Sequence, residues 1–148
     1  MDIPNIIYQF SRVFTWVSIG LELLAVVVLA VAVFSGDYNT KTSAARDFFK
    51  SGARVRNTAL CFLVFLFLIA NKGLKIDGMS ALSAVSIVCK KYAFLSVFVF
   101  ASSILLSITT AIKKVSFSDT KDLIKHIGSS SIWSTIVGFL LAYFLYIP

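Results

Sequence analysis

Histidine and cysteine are scarce in this chain, which contains one histidine and two cysteines among its 148 residues. His126 has no second histidine and no cluster of carboxylates and thiols in its neighbourhood of the sequence. The sequence therefore predicts neither a metal site nor histidine-based catalysis. Cys61 and Cys89 lack the spacing of a zinc-binding motif, and we interpret both as small buried hydrophobic residues. No nucleophile is paired with a base, so we expect no enzymatic activity and no cofactor.

Charged residues are also few, at 14% of the chain, whereas a typical soluble domain has about 25%. Hydrophobic residues make up 58%, above the roughly 45–50% of an ordinary globular domain. A soluble protein of this length could not bury so much apolar surface, because a small domain keeps a large surface relative to its volume. The composition predicts an integral membrane protein with a single domain over residues 1–148.

Four apolar runs account for the hydrophobicity, and a helix needs about 20 residues to cross a hydrocarbon core about 30 Å thick. The runs are Val13–Phe34, Thr58–Ala70, Tyr92–Ile112 and Ser131–Ile147. The second run is short, and its polar flanks must be included for it to cross, with Arg56 and Lys72 at opposite interfaces. The sequence thus predicts an all-α fold, a polytopic four-helix transmembrane bundle with spans near 13–34, 55–74, 92–112 and 131–147.

Two connecting segments have the pattern of short amphipathic helices on a membrane surface. In loop one (35–57), Thr42 or Ser43 can cap a helix whose apolar and basic residues take different faces. In loop three (113–130), Ser118 or Asp119 can cap a similar helix that ends at Gly128. We therefore expect surface helices in both loops, with direct continuation of the first into span two as an alternative.

The segment 79–91 has two interpretations, because its apolar residues are followed directly by Lys90 and Lys91. One helix from this segment to the end of the third run would be about 50 Å long, well beyond the hydrocarbon core. We favour a surface or half-inserted segment at 79–89, followed by a separate third span. The alternative is one continuous helix, at a cost of roughly 2.5–3.5 kcal/mol for each lysine at the bilayer centre.

The net charge of +7 comes from lysines and arginines that cluster beside the apolar runs. This placement favours anionic lipid headgroups as partners and argues against nucleic acid. The expected headgroup contacts are Arg46, Lys50, Arg54, Arg56, Lys113 and Lys114. Loops one and three hold nine lysines and arginines against five on the other side. The positive-inside rule then places these loops in the cytoplasm and both termini outside, in a multi-pass protein of the cell (inner) membrane.

Glu22 is the one acidic residue inside a predicted span, near the middle of the first. It interrupts a run that lacks a preceding basic region, so we expect this run to be retained and not removed as a signal peptide. A carboxylate at such depth is costly and usually faces a bundle interior or a cavity. Glu22 and Ser18, one helical turn away, are therefore candidates for an ion or proton site or for a pore lining. The alternative is a structural role, with Glu22 forming hydrogen bonds between helices.

Small residues recur every four positions in the third and fourth runs, and this spacing lets helix backbones approach closely. They are Ser103, Ser107 and Ala111 in the third run and Ser134, Gly138 and Ala142 in the fourth. We predict helix packing at both stripes, either between copies of the chain or within one copy.

Small size, small-residue stripes and a buried carboxylate together favour a non-enzymatic function. We expect a subunit that assembles in the membrane, either with itself as a homo-oligomeric pore or channel or with partners in a larger membrane complex. The alternatives are a small proton-coupled transporter that uses Glu22 and an immunity or inhibitor protein that binds another membrane protein.

Overall fold

Four long helices dominate the structure, a computed structural model that describes residues 3–70, 75–76 and 78–145. A two-stranded antiparallel ribbon lies between the second and third helices in the chain. In chain order the elements are α1 (Ile3–Ser35), α2 (Tyr38–Ala70), β1 (Lys75–Ile76), β2 (Met79–Ser80), α3 (Ala81–Ile112) and α4 (Ser118–Leu145). The all-α fold class predicted from the sequence is confirmed.

Each helix is long enough and apolar enough to cross a membrane. The shortest has 28 residues and the longest have 33. At 1.5 Å per residue these lengths correspond to about 42–50 Å, against about 30 Å for a hydrocarbon core. An 18-residue window of each helix has a mean hydropathy between 1.4 and 2.7. The prediction of four such helices is confirmed, while residues 71–74 and 146–147 of the predicted spans lie outside the described residues.

Separate surface helices in loops one and three are not present in the described residues, so that prediction is wrong. Residues 42–56 belong to the first half of α2, which begins at Tyr38 and continues without a break into the apolar run. The helix expected to end at Gly128 likewise continues as α4. Neither α2 nor α4 contains proline, and Gly52 and Gly128 lie at close contacts between helices instead of at helix ends. The two short helices are therefore the first halves of two long ones.

The segment 79–91 adopts the arrangement that we favoured less, because α3 is continuous through it. Ser80 caps this helix, and its hydroxyl oxygen accepts a hydrogen bond from the Ser83 backbone N–H at 3.2 Å. Lys90 and Lys91 lie in the body of the helix with both side chains exposed. Most apolar residues of the first three turns are buried in the core, and this packing stabilises the helix ahead of the lysines.

The helices form two antiparallel hairpins that pack against each other, α1 with α2 and α3 with α4. We call the end with the connections 36–37 and 113–117 the connection end, and the end with Ile3 and the β-ribbon the ribbon end. Two apolar cores follow each other along the bundle axis. Leu66 is fully buried in the core at the ribbon end, and Leu29 is fully buried in the core at the connection end.

The register of each hairpin places unlike segments side by side. Gly52 packs against Glu22, and the ring of Phe62 stacks on that of Phe14 with 5.7 Å between centroids. The apolar part of α1 therefore lies beside the basic first half of α2, and the apolar part of α2 lies beside the start of α1. The α3–α4 hairpin is offset in the same direction, since Ser103 in the apolar second half of α3 packs against Gly128 in the more polar first half of α4. At 1.5 Å per residue, the apolar segments are displaced by about 20 Å in the α1–α2 hairpin and by about 15 Å in the α3–α4 hairpin.

Candidate functional site

Glu22 is buried where α1 packs against α2, with 3% of its surface exposed. Its Oε1 lies 3.7 Å from Nη1 of Arg56 on α2. The same Nη1 donates a hydrogen bond to Oγ of Ser130 on α4 at 3.2 Å. Three helices thus meet at one guanidinium. Both contacts use Nη1, and the N–H groups on Nε and Nη2 are donors that neither contact occupies.

Ser18 and Glu22 share a close contact with the backbone of Gly52. Ser18 Oγ donates a hydrogen bond to the Gly52 carbonyl oxygen at 2.9 Å. A Cβ atom added at Gly52 would lie 3.2 Å from both Glu22 Cγ and the Ser18 carbonyl oxygen, so a larger residue would push α1 and α2 apart. The two residues singled out from the sequence are therefore brought together, at a tight contact between α1 and α2.

Arg56 is the member of this site that sequence reasoning missed. Its position beside an apolar run led to its assignment as a headgroup contact, as for Arg54. In the structure Arg54 is exposed, whereas the Arg56 side chain is 22% exposed and reaches Glu22. Two residues correspond to about 200° around a helix, so the two arginines take nearly opposite faces. The available signal was the spacing of four residues from Gly52, which puts Arg56 on the closely packed face.

A cavity of about 320 Å³ adjoins Arg56 and opens between α2 and α4. Its Arg56 end also contains Ser130 and Ser134, while α3 forms the floor. The hydroxyl oxygen of Tyr92 on this floor is buried near Arg56 and Ser134, yet it forms no hydrogen bond of good geometry with them or with another described residue. The end nearer the ribbon is apolar and is lined by Leu60, Leu63, Val88, Val137 and Leu141.

The small-residue stripe of α4 packs against α3 within the chain. A Cβ atom added at Gly138 would lie 2.7 Å from Cβ of Ala93. The carbonyl oxygen of Ala142 accepts a hydrogen bond from Ser86 Oγ at 2.6 Å. Ser134, the third member, lines the cavity. Gly138 and Ala142 therefore contact α3 of the same copy, while contact between copies at the α4 stripe stays a prediction.

The corresponding stripe of α3 is divided between the interior and the surface. Ser103 is 3% exposed and lies against Gly128 of α4. Ser107 and Ala111 are exposed. Contact between copies at these two positions stays a prediction.

The other predicted headgroup contacts lie toward the connection end. Lys50, Arg54, Lys113 and Lys114 are exposed, and Arg46 is half-buried. The Nζ atom of Lys113 lies 4.5 Å from the ring centroid of Phe34, a cation–π contact at the end of α1. Lipid contact at these residues stays a prediction.

The histidine and the cysteines do not form a cluster. The ring of His126 packs edge-on against Phe49, with 5.3 Å between centroids. Cys89 is buried, as expected, but Cys61 is exposed, so the interpretation as a buried residue is wrong for Cys61. Within the described ranges, no group of three or more histidine, cysteine or carboxylate side chains could hold a metal ion.

The first halves of α2 and α4 lie side by side near the connection end. Oγ1 of Thr42 and Oγ1 of Thr120 form a hydrogen bond at 2.7 Å, and the ring of Tyr38 stacks on that of Phe117. The exposed residues of these two half-helices are polar or charged. We call this surface, the exposed side of α2 before Leu60 and of α4 before Trp133, the polar face.

Helices α1 and α3 expose apolar residues at the same level of the bundle. Ten large side chains there are 41–75% exposed: Leu24, Val27, Val31, Phe34, Val97, Phe98, Ile104, Leu105, Ile108 and Ile112. Toward the ribbon end α2 and α4 become apolar on the outside, while α3 exposes Lys90 and Lys91. No protein-family model, curated protein or solved structure matches this chain.

Proposed function

We propose that the chain is a non-enzymatic subunit of a homo-oligomer in the cell membrane, in which copies meet through the side formed by α2 and α4. In this assembly α1 and α3 face lipid, and the polar faces surround a shared interior that forms a pore or channel. One observation carries the proposal. The polar face lies at a level of the bundle where α1 and α3 expose no charged residue.

The charged residues at the two ends of the apolar runs of α1 and α3 indicate where the bilayer lies along the bundle axis. Arg12 and Lys91 line one small cleft, with Lys90 next to Lys91 in the chain. All three are about 14 Å from the ribbon end of their helices at 1.5 Å per residue. Lys113 and Lys114 follow α3 at the connection end. Between these boundaries α1 and α3 each have about 20 residues, the number that crosses a hydrocarbon core. The charged residue in this interval of α1 and α3 is the buried Glu22.

A single copy at this level would conflict with the bilayer on its α2–α4 side. Lys50 and Arg54 of the polar face would lie in hydrocarbon, at roughly 2.5–3.5 kcal/mol for a charge near the centre. Leu68 and Phe144, which are 62% and 74% exposed on the same side, would lie outside the hydrocarbon at the ribbon end. Another copy that covers this one side removes both conflicts, because it shields the cations from lipid and the apolar residues from water. In this assembly Lys50 and Arg54 face the shared interior, in place of the headgroup contact expected of them from the sequence.

Cysteine cross-linking in membranes tests which side makes the contact. In a background without Cys61 and Cys89, Lys50→Cys on the polar face is expected to cross-link two copies through a short bifunctional maleimide. The matched control is Leu105→Cys, on the lipid-facing side of α3, which should remain uncoupled. Cross-linking at Leu105 and not at Lys50 would put the contact on the opposite side. A monomeric native mass in mild detergent would overturn the assembly altogether.

A proton-coupled transporter is the second candidate, because Arg56 lies between the buried carboxylate of Glu22 and a cavity. Glu22→Gln separates the two functions, since glutamine keeps the shape and hydrogen bonding of glutamate but cannot titrate. Conductance of the purified protein in liposomes that persists in Glu22→Gln supports the pore. Saturable flux that requires a proton gradient and is lost in Glu22→Gln supports the transporter.

A further inference from the structure

We infer that the cavity beside Arg56 binds a single-chain organic anion, with the anionic group at Arg56 and Tyr92 and the apolar chain between α2 and α4. The anion competes with Glu22 for the guanidinium of Arg56. All the residues that form this site belong to one copy, and only the choice of a free amphiphile over a bilayer lipid rests on the bilayer level of the proposed function.

Arg56, at the polar end of the cavity, lies too far from Glu22 for a charge-assisted hydrogen bond. The 3.7 Å between Arg56 Nη1 and Glu22 Oε1 is longer than the roughly 2.7–2.9 Å of a charge-assisted hydrogen bond. The side chain of Arg56 also lines the cavity, and its Nε and Nη2 donors take no part in the contacts with Glu22 and Ser130. A carboxylate can accept two parallel hydrogen bonds from one guanidinium, so an anionic group in the cavity would gain the geometry that Glu22 lacks.

An unpaired hydroxyl lies beside the same cation. Tyr92 Oη is buried next to Arg56 and Ser134, but no hydrogen bond of good geometry joins it to either side chain or to another described residue. Buried polar groups are nearly always hydrogen-bonded, and an exception calls for a missing partner. An oxygen of a bound anion would accept a hydrogen bond from this hydroxyl. Arg56 on α2 and Tyr92 on α3 could therefore both donate hydrogen bonds to the same anionic group.

The other end of the cavity selects for an apolar chain of limited size. Leu60, Leu63, Val137 and Leu141 line it. A volume of about 320 Å³ is at the lower end of the range of small-molecule sites, which favours one chain over two. At the bilayer level proposed above, the Arg56 end lies deeper than the Leu141 end. A bilayer lipid would take the opposite direction, with its headgroup outward, so the occupant is a free amphiphile such as a medium-chain carboxylate.

The shared arginine couples the cavity to Glu22. An anion that binds Nε and Nη2 draws on the same positive charge as the Glu22 carboxylate at Nη1. Removal of the negative charge from position 22 leaves Arg56 free to interact with the ligand alone. The inference therefore predicts that Glu22→Gln binds an organic anion more tightly than the parent protein, the reverse of what loss of a direct ligand contact would cause.

Photo-cross-linking with a diazirine derivative of decanoate, on protein in phosphatidylcholine nanodiscs, tests the site. Labelled peptides are expected to come from the cavity walls at 59–63 and 133–141. Unlabelled decanoate should compete, whereas decanol, which lacks the charge, and acetate, which lacks the chain, should compete at least roughly tenfold more weakly. Equal competition by decanol would overturn the anion site, and equal competition by acetate would overturn the requirement for an apolar chain.

Variants assign the roles of individual residues in the same assay. Arg56→Gln should weaken competition by decanoate roughly tenfold or more, whereas the exposed neighbour in Arg54→Gln should leave it unchanged. Tyr92→Phe removes only a hydroxyl that has no partner in the described residues, so it should fold normally and still weaken competition several-fold. Unchanged competition in both Arg56→Gln and Tyr92→Phe would overturn the inference, as would weaker competition in Glu22→Gln.

The apolar end has its own matched pair of variants. Val137→Trp should fill the cavity and abolish labelling, because Val137 lines it. Ile136, the preceding residue, is exposed to a similar extent, at 43% against 47% for Val137, and does not line the cavity. Ile136→Trp should therefore label like the parent protein. Equal labelling of the two variants would place the chain of the ligand elsewhere.

Discussion

Nη1 of Arg56 lies 3.7 Å from Oε1 of Glu22, and through this contact the second half of α1 is joined to the middle of α2. Removing two charges from water costs several kcal/mol for each ion, and their attraction offsets this cost only where the geometry is good. A buried pair with one long contact therefore adds little net stability. Loss of one partner is different, because the remaining charge stays buried without compensation.

Removal of one partner of this pair should destabilise the protein more than removal of both. We expect Glu22→Leu to lower the free energy of unfolding by about 3 kcal/mol, since it leaves Arg56 unpaired. The double variant Glu22→Leu/Arg56→Leu should lose clearly less. Thermal unfolding of Glu22→Leu, Arg56→Leu and the double variant in one detergent is the measurement. If the double variant loses as much as the sum of the two single variants, the pair has no energetic coupling.

The hydrogen bond between Thr42 and Thr120 gives a test of the long α2 helix. Thr42→Val keeps the shape of the side chain but leaves the buried Thr120 hydroxyl without its partner, so we expect a loss of about 1 kcal/mol in unfolding free energy. Thr42→Val/Thr120→Val should recover part of this loss. Ser43→Ala, at the exposed neighbouring position, is the control and should have no effect. A separate surface helix at 42–56 would instead make Thr42→Val neutral.

Gly138→Leu should force α3 and α4 apart. A Cβ atom alone would lie 2.7 Å from Cβ of Ala93 and 3.1 Å from the Cys89 carbonyl oxygen, so a leucine cannot fit without movement of a helix. Overpacking of this kind costs typically about 1–3 kcal/mol. The comparison variant is Ser107→Leu, at an exposed position of α3, which should unfold at the temperature of the parent protein. Unchanged thermal stability of Gly138→Leu would show that this helix contact is incorrect.

Both connections at the connection end are expected in the cytoplasm. Asp37 and Ser116 are exposed there, one in each connection. In a cysteine-free background, Asp37→Cys and Ser116→Cys should both resist an impermeant maleimide added to intact cells and react after permeabilisation. Reaction of both in intact cells would reverse the orientation. Reaction of only one would contradict the position of the two connections at the same end of the bundle.

The apolar runs allowed the number and type of helices to be predicted, but the local signals at their ends were misleading. Threonine, as at position 42, is common at the start of a helix, and glycine, as at position 128, is common just after the end of one. In the structure the Thr42 hydroxyl bonds to Thr120 on another helix, and Gly128 packs against Ser103. A short polar residue satisfies either role, and the sequence around it does not show which partner comes within reach.

Composition and the length of the apolar runs are enough to predict the all-α fold and the burial of Glu22, because the cost of exposing apolar groups depends on how many of them are contiguous. They are not enough to predict which residue pairs with Glu22. The contact of Ser18 with Gly52 joins residues 34 positions apart, and the same hairpin register brings Arg56, and not Arg54, to Glu22. That register is set by the close approach of two backbones at Gly52, a property of α1 and α2 together. The ion pair, the polar face and the cavity exist only once the hairpins have packed, since each is formed by side chains from at least two helices.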